Sequence, residues 1–219
     1  MEAQSIINYD SNEEKTSDNY YFPVFYYDFN NCKFYFKELK LELGTLTFVV
    51  GDKKCGKSLL LRSLTGLEKP EKKPVDLSFL KYDIVYKPEH IEPKFEGTLK
   101  ALIYEKKLEN NKTFFKNFGL LDMNEYLDYN VKELPEIQKQ IFSFLLLLNT
   151  DGLIYILDCP THIVPRNIRK KMWNILRDFC SEKDKIGVCV EDKSNYAEKC
   201  DFVYQIREIA DNEFVGSCL

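Results

Sequence analysis

The segment Gly51-Asp52-Lys53-Lys54-Cys55-Gly56-Lys57-Ser58 matches the spacing G-x-x-x-x-G-K-[ST] in full. Those residue types suit one kind of chemistry. The glycines let the backbone curl so that successive N–H groups point inward at phosphate oxygens, and a helix opening at the end of the segment adds the positive end of its dipole. Lys57 is expected to reach the outer phosphates, and the Ser58 hydroxyl to hold Mg2+. A second oxygen ligand should come from the end of another buried strand. Asp158, directly after the continuous apolar run at residues 153–157, is the candidate.

The elements around this loop give the context it needs. Residues 45–50 (TLTFVV) read as a β-branched strand running into Gly51, and residues 57–65 as a helix stopped by Gly66. Upstream, two aromatic-rich segments at 20–29 and 33–43 read as half-buried antiparallel strands, the second mostly alternating apolar residues with Lys and Glu. A Lys/Glu/Pro-rich loop covers residues 68–74, and a short strand is expected at 82–86, closed by Pro88. Residues 98–149 read as helical with breaks near Asn110 and Gly119. Residues 153–157 and 186–190 have the unbroken apolar character of strands buried on both faces. An amphipathic helix at 166–180 and a last strand at 202–206 complete the pattern. Strand–helix alternation predicts an α/β domain with a parallel central sheet. The expected boundaries are a polar tail at 1–19, one domain at 20–207 with a helical lobe at about 98–150, and a short C-terminal tail at 208–219.

Composition narrows the function class. The chain has 219 residues, 31 Lys+Arg against 35 Asp+Glu and a formal net charge of −4, which argues against generic charge-driven binding to DNA or RNA. With 44% hydrophobic residues it can bury a substantial core. Its longest apolar run is too short to span a bilayer, and no secretory leader is seen, so a cytoplasmic protein without a membrane partner is expected. Seven cysteines without a CxxC pair, and only His90 and His162, point to reduced thiols and away from a disulfide framework or a metal cluster. Both histidines read as loop residues. Cys159 has no identifiable partners for work as a nucleophile. Arg166, Arg169, Lys170, Lys171 and Arg177 place cations on one helix, either to meet RNA phosphates or as the solvated side of an amphipathic helix.

With the loop and Asp158 placed, other segments carry a resemblance. Tyr86-Lys87-Pro88-Glu89-His90-Ile91-Glu92-Pro93-Lys94, Val131-Lys132-Glu133-Leu134, Ile156-Leu157-Asp158-Cys159-Pro160 and Val188-Cys189-Val190-Glu191-Asp192 occur in order and at kept spacing. Together they resemble an ABC-type nucleotide-binding domain, most closely the second such domain of the ABC-E ribosome-recycling ATPase, or RNase L inhibitor. The resemblance implies a RecA-like P-loop core with an N-terminal antiparallel β subdomain and a helical lobe. It also implies ATP with Mg2+ as cofactors, Glu89 at the Q-loop position facing the nucleotide, and an upstream aromatic stacking on adenine. Tyr27 is similar to that aromatic, with Tyr26 as the alternative. The implied partners are the ribosome or translation factors, and a second ABC domain or a second copy of the chain as a homodimer.

The departures from the family bear on function. Its signature motif becomes Leu134-Pro135-Glu136-Ile137-Gln138, which has neither glycine nor serine, and Glu136 would bring negative charge towards phosphate. Cys159 stands where the resemblance places the catalytic glutamate, and a thiol cannot orient water as a carboxylate does. Asp192 replaces the switch histidine, Glu89 the Q-loop glutamine and Pro165 the D-loop aspartate. The reading is a pseudo-ATPase that keeps nucleotide through Lys57, Ser58 and Asp158. The alternatives are an ATPase completed by another ABC subunit or by a base such as Glu191, and an interaction module with a relic loop.

Overall fold

In the computed structural model, residues 19–29, 31–69, 82–191 and 200–219 are described. The expected tail up to residue 18, residues 70–74 of the Lys/Glu/Pro-rich loop and Asp192 lie outside them. Ten strands and five α-helices follow in order: β1 (Asn19–Phe22), β2 (Phe25–Phe29), β3 (Cys32–Phe36), β4 (Leu39–Glu42), β5 (Leu46–Val50), α1 (Lys57–Leu64), β6 (Ile84–Lys87), α2 (Leu99–Glu105), α3 (Lys112–Leu120), α4 (Glu136–Leu147), β7 (Ile154–Leu157), α5 (Arg166–Lys183), β8 (Ile186–Val190), β9 (Phe202–Ala210) and β10 (Glu213–Cys218).

Eight strands form one sheet in the order β2-β3-β10-β9-β5-β8-β7-β6. The run from β9 to β6 is parallel throughout. Every residue of β5, β7 and β8 is buried, as expected of central strands covered on both faces. One face packs against α4 and α5, where Trp173 meets Phe48 edge to face. The other packs against α1 and the aromatic strands upstream, whose Phe34, Phe36, Leu39 and Leu41 point inward. β1 pairs with β4 in a separate antiparallel ribbon.

The helical lobe starts and stops where local chemistry says it should. Thr98 caps α2 by accepting from the Ala101 N–H, and Asn111 caps α3 by accepting from the Phe114 N–H. Two 3₁₀ turns, Asn124–Tyr126 and Val131–Glu133, lead to α4. α5 runs three residues past the expected end and stops at Asp184, in the left-handed conformation with φ 50°.

One expected boundary is corrected. Residues 208–219 are not a tail: β9 continues to Ala210, turns at Asn212 with φ 60°, and returns as β10. β10 lies antiparallel to β9 and parallel to β3, so it joins the parallel core to the N-terminal strands. Phe214 stacks on Phe34 at 5.1 Å on one face, and Lys33 pairs with Glu213 in the same register. The short, half-polar strand owes its place to neighbours far away in sequence, which local periodicity does not register.

Candidate functional site

Four strands bring chemistry to one edge of the sheet. β5 ends just before Gly51, β6 at Lys87, β7 just before Asp158 and β8 just before Glu191. In an open parallel sheet, the carboxyl ends of the strands are where ligands bind. Residues 51–56 arch from β5 to the amino end of α1. Both glycines are needed there. A Cβ on Gly51 would sit 2.4 Å from the Cys55 sulfur, and one on Gly56 would sit 2.7 Å from the ring of Phe34. Gly56 also has φ 92°.

A cavity of about 560 Å³ opens over the loop. Its lining includes Lys53, Lys54, Lys57 and Ser58 of the loop and helix together with Glu89, Cys159 and His162. Lys57 Nζ donates to the carbonyls of Gly51 and Asp52 at 2.9 and 2.8 Å. Ser58 Oγ donates to Asp158 Oδ1 at 3.1 Å. Asp158 is 4% exposed, and burial raises its carboxyl pKa, opposed by the Ser58 hydrogen bond. A hydroxyl and a carboxylate held together beside an inward-turned loop are the oxygen donor set that Mg2+ takes with a nucleotide's phosphates. The residues present therefore fit ATP with Mg2+. Lys57, Ser58, Gly56 and the amino end of α1 would hold the phosphates, and Ser58 and Asp158 the cation, which would neutralise phosphate charge.

The structure assembles most of the expected site residues. Gly51 to Ser58, Glu89 and Asp158 converge on one cavity or its floor, with Cys55 buried under Gly51 and Asp52 exposed at the arch. Tyr27 is the exception. Its ring is 4% exposed in the core and its hydroxyl shares a hydrogen bond with Ser63 on α1, so it has no free face for adenine. Tyr26 points to the opposite side of β2 and packs on Tyr35 at 4.8 Å. The aromatic residues against the loop at Gly56 are Phe34, backed by Phe214, and Phe36. Period-2 alternation places Phe34 and Phe36 on the inner face of β3, but it cannot say that this face meets Gly56.

The structure gives partners to His162, Lys87 and Gln140, which the sequence left without a role. His162 sits in the cavity with Nδ1 2.9 Å from the Cys159 carbonyl. Lys87 is 3% exposed, and burial pulls its amine down to about 8. It donates to Gln140 Oε1 at 2.5 Å, while Gln140 Nε2 donates to the Glu89 carbonyl at 2.6 Å. Gln140, on α4, thereby ties the helical lobe to the segment carrying Glu89. Glu191 is 4% exposed and accepts a hydrogen bond from Thr161. Cys159 has φ 42°, and burial followed by the nearby carboxylates of Asp158, Glu89 and Glu191 drives its thiol far up. It stays protonated and is a poor nucleophile. At the start of α4, Leu134 is buried, while Glu136 is exposed and pairs with Lys139 at 2.9 Å.

A parallel sheet with this loop, this acid and these two appended lobes defines a P-loop, RecA-like nucleotide-binding domain of the α/β class, with an N-terminal antiparallel β subdomain and a helical lobe. A family model described as "ABC transporter" matches residues 37–162, more than half of the chain, so the chain belongs to that family. It is similar to the "Uncharacterized ABC transporter ATP-binding protein MJ0719" of Methanocaldococcus jannaschii, with 26% identity over 64% of this chain and 24% of the relative. It is also similar to "Translation initiation factor RLI1" of Chaetomium thermophilum, with 25% identity over 70% of this chain and 26% of the relative. The match spans about a quarter of each of those proteins. Among solved structures, "RNase-L Inhibitor" superposes with a TM-score of 0.78 at 19% identity, covering 93% of this chain and 40% of that one. No helix among the described residues is long and apolar enough to cross a membrane.

Proposed function

We propose that this chain is a degenerate, ABC-E-like ATP-binding protein that holds Mg-ATP, hydrolyses it inefficiently, and works in the cytoplasm with the ribosome or translation factors. The observation that carries the reading is that a thiol, Cys159, lines the cavity one residue past Asp158 and its Ser58 partner. Orienting and deprotonating water at that point calls for a carboxylate or another base. Glu191 does not replace it, because its carboxyl is buried and taken up by Thr161. The amino end of α4, which the resemblance would present to a partner's phosphate, carries the exposed carboxylate of Glu136 in its first turn. That charge favours the helix dipole and opposes an incoming anion.

The translation part of the reading is supported by the relatives. One is named a translation initiation factor, and one similar structure is titled "Model of ribosome-bound archaeal Pelota and ABCE1", at 21% identity and TM-score 0.75. The test has two parts. Mg-ATP should raise the melting temperature of the wild type and not of Lys57→Ala, while turnover stays at background. In a sucrose gradient of native extract with ATP, the protein should co-migrate with a ribosomal peak. Turnover by the purified chain at an ordinary enzymatic rate, about 1 per second or more, would sink the pseudo-ATPase reading, and a protein confined to the top of the gradient would sink the ribosomal one.

A further inference from the structure

The carboxylate of Asp158 is held by more than its bond with Ser58. Ser58 Oγ donates to Oδ1 at 3.1 Å, and the hydroxyl of Tyr86 donates to Oδ2 at 3.5 Å, the long end of hydrogen bonding. The N–H of Asp158 donates to the Lys87 carbonyl at 2.9 Å. Tyr86 and Lys87 are the last two residues of β6, which runs parallel to β7 with Tyr86 opposite Ile156 and Lys87 opposite Leu157. That register brings Asp158 alongside the end of β6. Strand alternation then separates the two β6 side chains. Lys87 reaches Gln140 on α4, while Tyr86 belongs to the opposite face, where it packs in the same cluster as Leu60 and Leu61 of α1. α1 also carries Ser58.

Packing alone does not call for a tyrosine here. Tyr86 is 8% exposed, and a phenylalanine would fill the same space without a polar atom to satisfy. Among the described residues, Asp158 is the one hydrogen-bond partner of its hydroxyl. Burial, and then the Asp158 charge, holds the phenol well above its ordinary pKa, so it keeps the proton that it donates. A donor on each oxygen fixes the turn of the carboxylate about its Cβ–Cγ bond. An O–H aimed at a buried carboxylate also favours the charged form that a cation needs. Carboxylates that ligate metals are in turn held by outer hydrogen-bond partners, which set their orientation. Building on the ATP-binding reading above, we propose that Tyr86 is a positioning residue for Mg2+, its hydroxyl holding Oδ2 of Asp158 so that Oδ1 and Ser58 are set for the cation.

The experiment is calorimetric titration of the full chain with ATP, once with Mg2+ and once with EDTA. The variants are Tyr86→Phe, Tyr86→Met, Asp158→Asn, and Tyr86→Phe combined with Asp158→Asn. Tyr86→Phe keeps the ring and removes only the hydroxyl. With Mg2+ its ATP affinity should fall about tenfold, the low end for an outer partner of a ligating carboxylate and in keeping with the long bond. With EDTA it should stay within about twofold of wild type. Tyr86→Met, which also fills the site with apolar atoms, should read the same. The combined variant should match Asp158→Asn within about twofold, because a residue that acts through Asp158 has nothing left to act on. A ligand-free melting temperature within about 4 °C of wild type shows Tyr86→Phe to be folded. An equal loss with Mg2+ and with EDTA, no loss, or a further loss in the combined variant would overturn the assignment and leave the ATP-binding reading intact. A wild type that binds ATP equally with Mg2+ and with EDTA overturns it too, and one that binds no ATP overturns both.

Discussion

Ser58 and Asp158 stand a hundred positions apart and are joined by a hydrogen bond of 3.1 Å from Oγ to Oδ1. One lies in the first turn of α1 and the other at the end of β7, and β8 separates β7 from the strand that feeds α1. The bond therefore reaches across a strand, and the cation would draw on both of its oxygens. In Asp158→Asn the added stabilisation from Mg2+ should vanish. The ATP-induced thermal shift measured with Mg2+ should equal the shift measured with EDTA. A Mg2+-dependent increment that survives the substitution would show that the ion is held elsewhere.

Cys159 offers a gain-of-function test. A glutamate at this position would bring a carboxylate to the cavity that Lys57 and Ser58 also line. Positioned general bases contribute about 10²–10⁴ in rate. Cys159→Glu should raise ATP turnover by about 10² over the wild-type background, read by phosphate release. A variant that binds ATP normally and still shows no turnover would place the defect in more than this one side chain.

The buried Lys87 makes a stability prediction with a definite sign. Its amine titrates near 8 in the folded chain and at about 10.5 when unfolded. Between those values the unfolded chain binds more protons, so this group's contribution to stability rises with pH. The cost of burying its charge is full below pH 8 and is relieved as pH climbs towards 10.5. Lys87→Met removes that cost, on the order of 3 kcal/mol, together with a pH-independent loss at Gln140. The wild-type-minus-variant difference in urea unfolding should therefore move in favour of wild type between pH 8 and 10. A flat difference would mean that Lys87 keeps an ordinary amine.

Gly56 combines two requirements at one atom. Its φ of 92° disfavours any side chain, and a Cβ would press on Phe34 at 2.7 Å. Gly56→Ala should cost about 1–3 kcal/mol of stability and remove ATP binding, because the arch must shift away from the aromatic floor. Melting curves with and without Mg-ATP read both effects. Phe34→Ala introduced beside it should recover part of the stability.

Deleting residues 208–219 distinguishes a tail from a strand. β10 is hydrogen-bonded on both sides and places Phe214 on Phe34. The truncated chain should lose several kcal/mol and fall out of the soluble fraction or melt at least about 10 °C lower, as the loss of a central strand implies. Unchanged melting would sink that expectation.

Much of this arrangement is legible in the residues themselves. Motifs whose function is local survive reading in isolation. The loop at 51–58 lies between a β-branched run and an amphipathic helix, and Asp158 closes an apolar run buried on both faces. What depends on distant chain is less legible. β10 has little apolar periodicity and forms because β3 and β9 leave a gap between them. Tyr27 and Tyr26 are adjacent aromatics, and strand parity alone sends one into the core and the other out. His162 and Gln140 carry no motif of their own. Their places come from distant chain, His162 lining the cavity after β7 and Gln140 on α4 donating to the Glu89 carbonyl.

The position of β10 also bears on how the protein comes into being. Lys33 and Glu213 are 180 residues apart, yet their strands are neighbours in the sheet. During synthesis the N-terminal strands emerge early and must wait, with an open edge, until nearly the whole domain has been made. Phe34, which floors the phosphate loop, lacks its stacking partner until then. A nascent chain therefore has the loop's complete sequence well before it has the surface on which the loop rests. Nucleotide can act as a late clasp on a finished sheet, and not as a template for its early folding.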